Sequence, residues 1–141
     1  MNFFDSINVL SSGLSAERTR MNLTSSNLAN AKTTRTEEGG PYRRRDPVFT
    51  SVPGNPRFET ELDGALRAVA VTEVVEDPNP PRLEYDPAHP DANAEGYVEM
   101  PNVNPVEEMV NMMTSARAYE AGINAMRSAV EMAQRAIRIG K

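Results

Sequence analysis

The sequence predicts a mainly α fold with a small β-rich insertion. Long N- and C-terminal helices pair as an antiparallel coiled-coil hairpin, and the middle segment supplies short strands and Pro-rich turns. Three observations carry this expectation. All eleven prolines lie between Pro41 and Pro105, leaving 40 residues before them and 36 after with none, and proline is what long helices exclude. Both proline-free ends repeat apolar residues at coiled-coil spacing. Charge divides at the same places: residues 1–31 carry two acids and two bases, residues 32–103 fourteen and eight, and residues 104–141 four and five. The net charge of −5 therefore originates in the middle, and the near-neutral ends do not repel one another.

The N-terminal helix is expected over residues 1–31. Phe3, Ile7, Leu10, Leu14, Glu17, Met21, Thr24, Leu28 and Ala31 alternate spacings of four and three, and seven of these nine positions are apolar. Asp5 in the first turn suits the helix dipole. The β-branched pair Thr33-Thr34 and the breaker Gly39-Gly40-Pro41 mark the exit.

The insertion, residues 32–103, reads as short strands separated by turns. Val48 to Val52, Arg57 to Leu62, Leu66 to Glu76 and Pro81 to Tyr85 are the candidates, with turns at Pro53-Gly54-Asn55-Pro56 and Asp63-Gly64. None is long or apolar enough to carry a core alone, so an extended hairpin and a compact sheet are both open.

The C-terminal helix, residues 104–141, has the clearer start. In Asn104-Pro105-Val106-Glu107 a capping Asn precedes a proline at the first helical position and an acid at the third. Met109, Met112, Ala116, Tyr119, Ile123, Met126, Val130, Ala133 and Ile137 form one apolar seam. Ala118, Gly122, Ala125, Ala129, Met132, Ala136 and Ile139 form a second, mostly of small residues, turned about 100° around the helix. One partner helix covers one seam. Either the β-rich middle or neighbouring copies must cover the other, and small residues favour copies because they let helices approach closely.

Enzymatic readings are weak. The chain has no Cys, which rules out disulfides and thiolate metal sites, and His89 is the only His. Asp86, His89 and Asp91 could share a metal, but one His among prolines in an acidic loop is more often solvated. The calcium-loop-like Asp91-Ala92-Asn93-Ala94-Glu95-Gly96 reaches Asn102, not a bidentate acid, at its twelfth position. No nucleophile sits beside a base, and no glycine loop cradles phosphate, so no catalytic, metal or cofactor site is expected. Arg43, Arg44 and Arg45 stand in a segment of net charge −6, too few and too isolated for nucleic acid. They are either a solvated charge run or the partners of acids on an adjacent copy. No apolar run approaches the roughly 20 residues of a membrane span, and the N-terminus lacks the pattern of a cleavable signal.

Ser26-Asn27-Leu28-Ala29-Asn30-Ala31, Thr33-Thr34-Arg35-Thr36 and Gly39-Gly40-Pro41-Tyr42-Arg43-Arg44 resemble the N-terminal signature of the bacterial flagellar axial proteins, in a proximal-rod variant. Tyr85 to Ala92, Gly96-Tyr97-Val98, Pro101 to Met109 and Ala116 to Ala121 are similar to the rest of that pattern, so the resemblance spans the chain. It departs at Gly122, where that family usually has Asn. The resemblance implies a structural subunit of the flagellar basal-body rod, the shaft that transmits torque from motor to hook. It implies partners among copies of itself and other rod proteins, with the flagellar type III export apparatus and the rod cap met in transit, and a periplasmic location. Helix pairing and subunit contact would then fall on Phe3, Ile7, Leu10, Leu14, Met21, Leu28, Met109, Met112, Tyr119, Ile123, Met126, Ala129, Val130, Ala133 and Ile137, and loop charge contacts on Arg43, Arg44 and Arg45. A rival from another class is a soluble coiled-coil adaptor that binds a helical partner.

Overall fold

A computed structural model describes residues 3–53 and 67–139. In chain order these form α1 (Phe3–Ala29), β1 (Arg45–Pro53), β2 (Arg67–Glu76), β3 (Arg82–Tyr85), β4 (Tyr97–Met100) and α2 (Pro105–Ile139). The expected strand Arg57 to Leu62 and the turn at Asp63-Gly64 lie outside the described residues.

The end of α1 comes two residues before the expected Ala31. The Asn30 side-chain amide donates to the Ser26 carbonyl (2.9 Å), and the Ala31 N–H donates to Leu28 (3.3 Å), tightening the last turn. A loop then doubles back. The Thr36 N–H donates to the Gly40 carbonyl (2.9 Å) and the Tyr42 N–H to the Thr33 carbonyl (3.0 Å). Gly39 and Gly40 have φ of 88° and 77°, a left-handed conformation that side chains with a Cβ resist. That turn delivers Tyr42 and the arginines to the root of β1.

Two separate antiparallel ribbons follow instead of one sheet. β1 pairs with β2 from Arg45 opposite Glu76 to Pro53 opposite Arg67, with a bulge at Val48/Phe49. β3 pairs with β4, from Arg82 opposite Met100 to Tyr85 opposite Tyr97. β4 was not expected from the sequence. It is four residues long, and its loop closes through Gly96, where a Cβ would come within 2.8 Å of the Tyr85 ring. Val98, Pro101 and Val103 are buried and lead the chain into α2. The Asn104 side chain caps that helix, accepting from the Val106 N–H at 3.1 Å, as its sequence requires.

α1 packs between two neighbours, α2 on one side and the β1–β2 ribbon on the other. Its exposed line is Phe4, Asn8, Ser11, Ser15, Arg18, Asn22, Ser25 and Ala29, nearly all polar or small. Asn27 bonds Glu108, and Leu14 lies against Gly122. Thirteen positions back along α1 thus match fourteen forward along α2, so the helices run antiparallel. The covered line on α2 is Glu108, Met112, Ser115, Tyr119, Gly122, Met126, Ala129 and Ala133, alternating four and three.

Gly122 marks the close approach of the pair. A Cβ there would sit 2.8 Å from Leu14 Cδ2 and 3.3 Å from Cγ. Because the obstacle is the end of a flexible side chain, Gly122→Ala is expected to leave thermal stability within about 1 kcal/mol of the parent, the clash offset by roughly 1 kcal/mol of helix propensity. Gly122→Leu overpacks the contact and is expected to lower stability by about 1 to 3 kcal/mol, read as a lower melting midpoint by circular dichroism.

Candidate functional site

The surface of α2 and the junction at its first turn hold the features that packing within the chain leaves to explain. On α2, Met112, Ala116, Tyr119, Ile123, Met126 and Ala133 are half-buried, while Met109, Val130 and Ile137 of the same expected seam are exposed. Gly122 and Ala129, counted with the outer seam, are half-buried on the line that meets α1, because a glycine at the crossing lets Leu14 in. The rest of that seam is open: Ala118, Ala125, Met132, Ala136 and Ile139 are exposed. With Val106, Val110 and Met113 they leave apolar side chains uncovered at intervals from one end of α2 to the other, with Met113 55 %, Met132 65 % and Ile139 86 % exposed. The ribbon, which the sequence left free to cover this surface, lies on α1. On α1, Ile7, Leu10, Leu14, Met21 and Leu28 are half-buried, and Phe3 is exposed and packed edge-on to Phe4.

At the other end of the molecule the arginines meet a buried polar junction. Glu108, 1 % exposed, receives Arg44 Nε on Oε1 (2.7 Å) and Asn27 Nδ2 on Oε2 (3.1 Å). Asn27, also 1 % exposed, donates from Nδ2 to the Arg45 carbonyl (2.9 Å) as well. Its Oδ1 accepts from the Tyr42 hydroxyl (2.8 Å) and the Arg45 N–H (2.9 Å). Arg44 also pairs with Asp46, and Arg45 with Glu76 across the ribbon (3.0 Å) while lying over the Tyr42 ring. Arg44 and Arg45 therefore hold acids of their own chain, and Arg43 is exposed. Burial works to lower the pKa of the Arg44 guanidinium, but the hydrogen bond and charge of Glu108, with the charges of Asp46 and Glu107, outweigh it and raise that pKa above its ordinary value.

Local pattern reading missed Asn27 and Glu108. The capping pattern singled out Glu107 and stopped one residue short of Glu108, and Asn27 fell off the apolar seam. The one usable signal was a basic cluster next to a helix exit in a chain whose second helix opens on two acids.

Asp86 and His89 are engaged in local turns, and Asp91 is held from the loop that follows α1. Asp86 Oδ1 accepts from the Ala88 N–H (3.1 Å), His89 Nδ1 from the Asp91 N–H (3.1 Å), and Asp91 Oδ2 from the Thr34 hydroxyl (2.8 Å). Among the described residues, no three metal-ligating side chains gather, and no helix is long and apolar enough to cross a membrane.

Residues 7–35 match a family model described as flagella basal body rod protein, and residues 94–139 one described as flagellar basal body rod FlgEFG protein C-terminal. The two matches coincide with α1 and its exit loop and with β4 and α2. The chain is 43 % identical to a flagellar basal-body rod protein FlgC of Borreliella burgdorferi, with 99 % of this chain and 98 % of that one aligned. It is 42 % identical to the Bacillus subtilis protein of the same name over the full length of both. The Salmonella typhimurium protein is 37 % identical over 100 % of this chain and 98 % of its own.

Proposed function

The chain belongs to the family of the flagellar basal-body rod protein FlgC and is a structural subunit of the rod, not an enzyme; from that premise we propose that it polymerises through its terminal helices. The observation that carries the proposal is the uncovered apolar surface of α2. That helix has 35 residues, about 52 Å at 1.5 Å per residue, and α1 covers one line of it. Apolar surface this extended, left open by the chain's own packing, marks a contact surface. Helical rods repeat one such contact from subunit to subunit.

In this reading residues 1–31 and 104–141 pair as an antiparallel coiled-coil hairpin, and residues 32–103 reach outward from it. Copies of the chain and other rod proteins cover the outer surface of α2, so the shaft can transmit torque from motor to hook. Membership of the family also supports export through the flagellar type III apparatus without a cleaved signal, assembly beneath a rod cap, and a periplasmic position. Deleting the gene is expected to give non-motile cells whose basal bodies lack a rod by electron microscopy, with rods and swimming restored by the gene in trans. Normal rods in the deletion strain would overturn the proposal.

A further inference from the structure

We propose that Asn27 is a positioning residue: its side-chain amide aims the β1–β2 ribbon relative to the helix pair. A primary amide offers two donors and two acceptor sites, and all four are engaged here. Two of them go to one residue. Asn27 Nδ2 donates to the Arg45 carbonyl at 2.9 Å, and Oδ1 accepts from the Arg45 N–H at 2.9 Å, which is the pairing a neighbouring strand would give. Arg45 is the first residue of β1, stands opposite Glu76 at the end of β2, and holds that residue through its guanidinium. The amide therefore grips the root of the ribbon, where a small rotation becomes a large displacement at the far end.

The same amide is tied to both other parts of the molecule. It sits on α1, and its remaining bonds go to Glu108 on α2 and to the Tyr42 hydroxyl on the returning loop. Farther out, the ribbon meets α1 through the Val69 N–H on Ser12 Oγ (3.1 Å), an exposed bond open to exchange with water. The two bonds to Arg45 are part-buried and those to Glu108 and Tyr42 are buried, so all four are better shielded from water than the Val69 bond; they set the ribbon's direction at its root, while the line between α1 and α2 sets the helix pairing.

Asn27→Asp tests this with almost no change of shape. It keeps an acceptor for Tyr42 and the Arg45 N–H but removes both donors and sets a carboxylate against the Arg45 carbonyl and Glu108. Basal bodies from Asn27→Asp cells are expected to show α1 and α2 at the parent's local resolution by electron cryomicroscopy, with density for β1 and β2 lost or smeared. Glu108→Gln, which leaves the two Asn27–Arg45 bonds in place, is expected to keep the ribbon as sharp as in the parent. A ribbon as sharp in Asn27→Asp as in the parent would overturn the assignment. So would loss of helices and ribbon together, failure of Asn27→Asp rods to form, or loss of the ribbon in Glu108→Gln. The parent map, in which the chain must be seen in the rod, tests the proposed function separately.

Discussion

Arg44→Ala is expected to destabilise the purified chain by about 3 to 5 kcal/mol, because it strands the buried Glu108 carboxylate without its cation. Few apolar side chains are buried among the described residues: Ala16, Tyr42, Val98, Pro101 and Val103. A loss of that size is a large share of the 5 to 15 kcal/mol typical of a domain, so cooperative unfolding should move to much lower urea or vanish. Arg43→Ala, at an exposed position, is expected to stay within about 0.5 kcal/mol of the parent. Equal effects of the two changes in urea titrations would refute the distinction between these neighbours. The pKa of Arg44 is raised on folding, and a base so shifted stabilises fully below its unfolded value and loses that contribution only as pH climbs through the folded one. The difference between Arg44→Ala and parent is therefore expected to be the same from about pH 7 to about pH 9.

The second large effect separates the two sides of α2. Met126 is half-buried on the line that meets α1, and Met113 and Met132 are exposed. Met126→Glu puts a carboxylate with no partner into the helix contact and is expected to lower the stability of the chain itself by several kcal/mol. Met113→Glu and Met132→Glu are expected to leave urea unfolding within about 0.5 kcal/mol of the parent, since both sites are open to water in the single chain. In the rod each would bury a carboxylate at every repeat of the contact, so those cells should make stable protein yet lack rods by electron microscopy. Swimming cells carrying Met113→Glu and Met132→Glu together would show that this surface is not an assembly contact.

The parts legible in the sequence were those set by local chemistry. Proline placement bounded both helices, the Asn104 cap gave the start of α2 to the residue, and the glycine pair announced the turn at residues 39 and 40. β1, β2 and β3 appeared within a few residues of their expected limits. What stayed hidden depends on partners distant in the chain. The bond from Asn27 to Glu108 joins positions 81 apart, and no local pattern distinguishes a buried Glu108 from the exposed Glu107 beside it. The division of α2 into two clean seams failed at Gly122 and Ala129 for a similar reason. Which face a small residue presents is decided by how closely the other helix comes, and Leu14 lies close against Gly122.

Whether other subunits cover the outer surface of α2 can be measured directly, because the chain contains no cysteine of its own. A single cysteine placed at Met113 or Met132 can be labelled with a maleimide in the purified chain and in isolated basal bodies, and the labelled peptide followed by mass spectrometry. Both sites are expected to react rapidly in the free chain and at least about tenfold more slowly in the rod, as burial at a packed interface requires. Equal labelling rates in the two states would show that the outer surface of α2 stays open in the rod.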